Sequence, residues 1–157
     1  MKTFYLSINQ YLQKHPAYRH FIALVTKFSV YPFYGLYPAI LVYLYMTNND
    51  LLIEVTLKPF FMFLFVTLFR KMINRPRPYD QLPITPIEEH KQGESFPSRH
   101  SASAFIIALM IIKVSLPLGI FALLCAIIVA LSRLLGGLHY LSDIVAAILL
   151  SVLLYFI

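Results

Sequence analysis

Long hydrophobic runs alternate with short polar segments along most of the chain. The runs cover residues 29–47, 51–69, 98–114, 118–135 and 139–157. A helix needs about 20 apolar residues to cross a hydrocarbon core of about 30 Å. The pattern therefore predicts an all-α fold, an integral membrane helical bundle of about five transmembrane helices. The length of the chain predicts a single membrane-embedded domain over residues 1–157.

The first 28 residues are more polar than the runs that follow. Their apolar side chains recur at the spacing of one helical face, at Phe4, Ile8, Tyr11 and Leu12. Basic residues on either side of this stretch, Lys2, Lys14 and Arg19, suit a position at lipid headgroups. We predict an N-terminal interfacial amphipathic helix within residues 1–28. A disordered tail is the alternative.

Residues 70–97 form a polar segment with five of the ten prolines. We predict a polar loop over an active site. Within residues 79–96, carboxylates and one histidine could in principle hold a metal: Asp80, Glu88, Glu89, His90 and Glu94. Their spacing matches no recognised metal motif. We therefore favour a solvated loop at the mouth of the site and expect no metal.

The composition supports lipid as the main solvent. Hydrophobic residues make up 59% of the chain and charged residues 13%, whereas a soluble domain has about 25% charged residues. The net charge of +6 suits anionic headgroups or phosphates, and no nucleic-acid module is present. The only cysteine, Cys125, excludes a disulfide within the chain.

Five crossings would bring three polar clusters to the same membrane face. These are RKMINRPRP (70–78), FPSRHS (96–101) and SRLLGGLHYLSD (132–143). Arginine presents a planar fork of donors that suits phosphate oxygens. A helix N-terminus offers N–H groups to an anion, and Ser98 is predicted to cap one. The candidate phosphate-binding residues are Arg70, Arg77, Ser98, Arg99 and Arg133.

Two histidines lie within this cradle. Asp143 follows His139 by four residues, so its carboxylate could fix the tautomer of one ring nitrogen and leave the other free to attack phosphorus. His100 could act as the general acid. The Gly136-Gly137 pair would allow a sharp turn before His139. Interfacial Arg and His side chains that only contact headgroups are the alternative.

At this point the clusters resemble the motifs of the type 2 phosphatidic acid phosphatase family, membrane lipid phosphatases related to vanadium haloperoxidases. The family's S-R-x5-H-x3-D motif is complete at Ser132, Arg133, His139 and Asp143. Its P-S-G-H motif corresponds to residues 97–100, and its K-x6-R-P motif to residues 70–78. The resemblance covers about residues 51–157.

The resemblance implies a metal-independent hydrolase without a cofactor. His139 would form a phosphohistidine, with Asp143 as its partner and His100 as the acid. Two residues depart from the family pattern, since Arg70 replaces Lys and Arg99 replaces Gly. Arg99 either points outward or adds a phosphate contact, and the second option would favour a diphosphate.

We therefore expect a lipid phosphatase that acts on a polyprenyl diphosphate, such as undecaprenyl diphosphate, or on phosphatidylglycerophosphate. A lipid phosphotransferase and a non-enzymatic protein that binds anionic lipid are the alternatives. We expect no nucleic-acid partner and no obligate protein partner. The expected location is a prokaryotic cytoplasmic membrane. The basic residues favour a cytosolic site, whereas many bacterial relatives face outward, so both orientations stay open.

Overall fold

The computed structural model describes residues 2–88 and 92–157. Within these ranges the chain forms helices and no strand, which confirms the predicted all-α class. The helices are α1 (Lys2–Lys14), α2 (Pro16–Phe28), α3 (Tyr31–Met46), α4 (Leu51–Ile73), α5 (Pro78–Gln81), α6 (Arg99–Val114), α7 (Leu116–Leu135) and α8 (Leu141–Phe156). Glu89 and His90 of the predicted solvated loop lie outside the described residues.

The five predicted spans correspond to α3, α4, α6, α7 and α8, with ends that differ by at most four residues. Among the described residues, Leu51–Gln81 and Leu116–Leu135 are long and apolar enough to cross a membrane. Helices α3, α6 and α8 have 16 residues each, which corresponds to about 24 Å. The count of five membrane crossings therefore stays a prediction.

The N-terminal region forms two helices where the sequence pattern predicted one. Proline is the first residue of α2, a position that suits its fixed φ and its missing N–H. Helix α1 buries Tyr5 and Leu12. The hydroxyl of Tyr5 accepts a hydrogen bond from the N–H of Leu141 at 3.0 Å. The N-terminus is therefore packed against the segment that leads into α8.

Helix α6 lies at the centre of the bundle and contacts α3, α4, α7 and α8. Small residues let these helices approach closely, among them Ala102 and Ala108 on α6 and Ala122 and Ala126 on α7, all fully buried. Large apolar side chains instead cover the outside of the bundle. An apolar outer surface is what a lipid environment favours.

An ionic cluster joins three helices at the end of the bundle away from the start of α6. Glu54 pairs with Lys58 at 2.6 Å, as its spacing predicts, and also with Lys113 of α6. The ammonium group of Lys58 donates to the carbonyl of Tyr155 at 3.0 Å. The cluster therefore links the start of α4 to the C-terminal ends of α6 and α8.

The predicted polar loop begins later than expected, because α4 continues through Arg70 to Ile73. The rest of the segment contains the short helix α5 and non-helical chain. The N–H of Ser98 donates to the carbonyl of Asp143 at 3.1 Å, and Arg75 also reaches Asp143. The end of α4, the start of α6 and the α7–α8 turn therefore meet, as predicted.

Candidate active site

The turn between α7 and α8 presents His139 to the interior. Gly137 has a φ of +70°, a left-handed conformation that glycine adopts readily. The N–H groups of Leu138 and His139 both donate to the carbonyl of Arg133, at 3.1 and 3.3 Å. His139 therefore lies in a tight turn, two residues before the start of α8 at Leu141.

The imidazole of His139 is 2% exposed, and its Nδ1 lies 2.8 Å from the carbonyl oxygen of Ser95. A carbonyl oxygen only accepts hydrogen bonds, so Nδ1 carries the proton and Nε2 carries the lone pair. Burial lowers the pKa of His139 to about 4, although the charge of Asp143 acts in the opposite direction. The ring is therefore neutral at pH 7.

Asp143 is fully buried and accepts three hydrogen bonds. Its Oδ2 accepts from the hydroxyl of Ser95 and from the N–H of Tyr140, and its Oδ1 accepts from Arg75 at 2.7 Å. The distance from Oδ2 to Nδ1 of His139 is 3.6 Å, too long for a hydrogen bond. The expectation that Asp143 fixes the tautomer is therefore corrected: the carbonyl of Ser95 does so, because Asp143 is engaged elsewhere.

Two buried arginines, Arg70 and Arg77, donate hydrogen bonds to backbone carbonyl oxygens of the loop that precedes α6. Nε of Arg70 donates to Glu94 at 2.7 Å, and Nε of Arg77 donates to Gly93 at 3.0 Å. Both acceptor residues have positive φ, +51° for Glu94 and +71° for Gly93. The positive charges of Arg77 and Arg99 both act on Arg70. Such a concentration of positive charge attracts a phosphate dianion.

Ser98 caps α6, as predicted. Its hydroxyl oxygen accepts from the N–H of Ser101 at 3.5 Å and lies 2.9 Å from the hydroxyl of Ser101. Both serines are fully buried. The cap places the first turn of α6 beside Asp143, and N–H groups at a helix start favour a bound anion.

Arg99 and His100 are the first two residues of α6. Both line a cavity between α3, α4 and α6. The guanidinium of Arg99 lies 5.4 Å from the centre of the Phe63 ring. The structure therefore places Arg99 toward this cavity, while the loop carbonyls engage Arg70 and Arg77.

Arg133 is 3% exposed and points toward α2. Its Nη2 donates to the carbonyl of Thr26 at 3.0 Å, and its Nη1 pairs with Glu88 at 3.2 Å. Its Nε is buried without a hydrogen-bond partner among residues 2–88 and 92–157. The carboxylate of Glu88 therefore pairs with the guanidinium of Arg133, which was predicted to bind phosphate.

Sequence reasoning did not predict the contacts of three residues that shape the site. Asp80 was considered only among the loop carboxylates, and Arg75 and Ser95 were not singled out. Ser95 contacts both His139 and Asp143. Oδ2 of Asp80 accepts from the N–H of Gly93 at 2.9 Å and so fixes the loop turn. Arg75 stacks 4.5 Å from the centre of the Tyr140 ring. The signal in the sequence was position: Arg75 lies within the first polar cluster, and Asp80 and Ser95 lie next to the first and second clusters.

Comparison with solved structures supports the fold. The crystal structure of Aquifex aeolicus LpxE matches 98% of this chain and 91% of that chain, with a TM-score of 0.76 and 22% sequence identity. The crystal structure of the first transmembrane PAP2-type phosphatidylglycerolphosphate phosphatase from Bacillus subtilis aligns over 98% of this chain and 90% of that chain, at 22% identity and a TM-score of 0.42. The first match shows that the helical architecture is shared.

Comparison of sequences identifies the family. The lipid A 1-phosphatase of Rhizobium etli is 34% identical over 92 residues, which are 54% of this chain and 39% of that protein. The aligned region thus spans about two fifths of the curated relative. The profile of the PAP2 superfamily matches residues 39–157, a range that includes all three polar clusters. The resemblance found in the motifs is confirmed, and the chain belongs to the PAP2 superfamily.

Proposed function

We propose that this protein is a membrane lipid phosphatase that removes a terminal phosphoryl group through a phosphohistidine on His139. The observation that carries the proposal is the position of the buried His139 ring, whose Nδ1 lies 2.8 Å from the carbonyl oxygen of Ser95. This arrangement leaves the lone pair of Nε2 as the nucleophile. Arg70 and Arg77 supply positive charge for the phosphoryl oxygens.

In the first step, Nε2 of His139 attacks phosphorus and the bond between phosphorus and the leaving oxygen breaks. His100 donates its proton to that oxygen. The ring of His139 keeps its Nδ1 proton and becomes positively charged. The carboxylate of Asp143, 3.6 Å from Nδ1, stabilises this charge without taking the proton.

In the second step, water attacks phosphorus and the bond between phosphorus and Nε2 breaks. His100, now deprotonated, accepts a proton from the water. Inorganic phosphate leaves and neutral His139 is restored. The residues that bind the phosphoryl group in both steps are Arg70, Arg77 and Ser98, joined by Arg133 once substrate has displaced Glu88.

The proposed substrates are a polyprenyl diphosphate or phosphatidylglycerophosphate. The apolar outer surface of the bundle favours a substrate that arrives from the bilayer, and the arginines favour a phosphate headgroup. The proposal includes five membrane crossings, a location in a prokaryotic cytoplasmic membrane, and chemistry without a metal. It requires no protein partner.

The test is detection of the covalent intermediate. Protein in detergent with EDTA is mixed with lipid labelled with 32P in its terminal phosphate, using undecaprenyl diphosphate, phosphatidylglycerophosphate and phosphatidic acid in turn. Quenching at short times with alkaline detergent should give a phosphoprotein bond that is stable in base and labile in acid. Phosphate release should accompany it.

Variants make the assignment specific. His139→Ala should abolish both the label and phosphate release, whereas His20→Ala, at an exposed position on α2, should retain both. A label that persists in His139→Ala would place the nucleophile elsewhere. If folded parent protein forms no label and releases no phosphate, the lipid-binding alternative replaces the enzyme.

A further inference from the structure

The cavity between α3, α4 and α6 is a groove that lies beside the candidate active site. Its volume is about 610 Å³, within the usual range for sites that bind small ligands. Its walls are largely apolar and include Phe33, Tyr37, Pro59 and Phe63. Tyr34 and Phe60 line it and are more than half exposed, at 69% and 57%. The groove is therefore open to the surroundings of the bundle.

One end of this groove is polar, because Arg99, His100 and Ser103 line it. Within residues 2–88 and 92–157, Arg99 forms no ion pair. Its guanidinium lies over the ring of Phe63. A cation beside an apolar, lipid-facing surface is costly unless an anion accompanies it. The charge therefore favours a ligand that is anionic at one end and apolar along the rest.

The first turn of α6 and its cap contribute residues both to the groove and to the proposed active site. Ser98 contacts Asp143 through its N–H, and His100, two residues later, lines the groove. His100 is the proposed acid for the leaving oxygen. The part of the substrate beyond that oxygen would therefore lie on the groove side of His100, where Arg99 is.

We propose that the groove receives the apolar chain of the lipid substrate and that Arg99 binds a second anionic group between this chain and the phosphoryl group that is removed. This inference rests on the proposed phosphatase function. It identifies the substrate class as a lipid diphosphate and makes Arg99 a specificity-determining residue. Ser98 and the loop arginines are left to bind the terminal phosphoryl group.

The chemistry of such a substrate balances. Nε2 of His139 attacks the terminal phosphorus, and the bond from that phosphorus to the bridging oxygen breaks. His100 protonates the bridging oxygen, so the inner phosphate remains on the lipid and stays beside Arg99. Water then releases inorganic phosphate from His139. The lining residues of α6 run from Arg99 to Ile107, about 12 Å, so a long chain would continue into the bilayer.

The first experiment compares two lipids with the same polyprenyl chain, a diphosphate and a monophosphate. The measured quantity is the ratio of kcat/KM values for the two lipids. Arg99→Gly introduces the residue usual in the family, and Arg99→Gln keeps a polar side chain while removing the charge. Each should lower the preference for the diphosphate roughly 10- to 100-fold, and Arg99→Lys should recover part of it.

The matched control removes a different cation near the same end of the bundle. Lys71 is exposed at the end of α4, and Lys71→Gln should preserve the ratio. If the parent hydrolyses the diphosphate and both Arg99 variants keep the parental ratio, the role of Arg99 is wrong while the proposed function stands. If folded parent hydrolyses neither lipid, both proposals fall.

A second experiment tests the groove itself. Ala104 of α6 lines it, so Ala104→Leu should narrow it, whereas Ala146→Leu adds the same side chain on α8 away from the groove. The measured ratio compares a long-chain with a short-chain polyprenyl diphosphate. Ala104→Leu should lower this ratio about tenfold, and Ala146→Leu should not. Equal ratios in the two variants, with short-chain turnover still present, would overturn the chain-binding role.

Discussion

The carbonyl oxygen of Ser95 accepts a hydrogen bond from Nδ1 of His139, while the hydroxyl of the same serine donates to Asp143. One residue therefore holds the ring through its backbone and the carboxylate through its side chain. The two contacts can be separated by mutation, because a substitution at position 95 removes the hydroxyl and leaves the carbonyl.

Ser95→Ala should lower kcat about 10- to 100-fold, with a smaller change in KM. Asp143 would lose one of its hydrogen-bond donors in a fully buried position, and its charge would be less well placed beside the ring. Steady-state phosphate release and the pH profile of kcat measure the effect. Ser95→Thr, which keeps a hydroxyl, should recover part of the rate.

Ser151→Ala is the matched control for this prediction. Ser151 is also buried, and its hydroxyl donates to the carbonyl of Ala102 at 3.1 Å. Its loss should lower the Tm and leave kcat near the parental value. A similar fall of kcat in both variants would show that Ser95 contributes only to stability.

His139 should remain neutral at pH 5. Burial lowers its folded pKa to about 4, whereas the ordinary pKa of a histidine is 6.5. Between these two pH values the unfolded chain binds more protons than the folded chain, so the free energy of unfolding should decrease as pH falls through this window. NMR of 15N-histidine-labelled protein, with His139→Gln for assignment, reports the titration. Protonation near pH 6.5 would contradict the prediction.

Glu88→Gln should strengthen substrate binding. The carboxylate pairs with Arg133 at 3.2 Å and must be displaced before this guanidinium can bind a phosphoryl group. A partly exposed ion pair contributes up to about 1 kcal/mol, so KM should fall roughly two- to fivefold. The inhibition constant of inorganic phosphate should fall in parallel. Asp50→Asn, at an exposed acid before α4, should change neither, and a higher KM for Glu88→Gln would show that the pair assembles the site.

Gly137→Ala should destabilise the protein by about 1–2 kcal/mol, because its φ of +70° is unfavourable for a residue with a Cβ. The added Cβ would also lie 3.1 Å from Ile84. Gly35→Ala is the control, since an added Cβ there has no atom within 4 Å and lies inside α3. It should be neutral or stabilising by up to about 1 kcal/mol. Thermal unfolding in detergent compares the two.

The sequence predicted the helices of the bundle and the meeting of the polar clusters. Apolar runs determine where the helices lie, and successive helices that run in opposite directions bring alternate turns to one end of the bundle. Ser98 was predicted as a helix cap because its side chain has a local role, independent of distant contacts. The break before Pro16 was missed, although a proline at the first turn is a recognised helix start.

The contacts of the site were not predictable in the same way. The partners of His139, Arg70 and Arg77 include backbone carbonyls of Ser95, Glu94 and Gly93. Every residue has a carbonyl, so the sequence does not indicate which one will be used. The direction of Arg133 depends on Thr26 and Glu88, which are distant in the chain and carry no motif.

The hydrogen bond from Ser98 to Asp143 also affects how the protein can move. It ties the first turn of α6 to the first turn of α8, and Ser151 joins the same helices through Ala102 further along. Two attachment points prevent one helix from pivoting independently of the other. The spacing between the proposed acid, His100, and the proposed nucleophile, His139, should therefore change little when the helices of the bundle move.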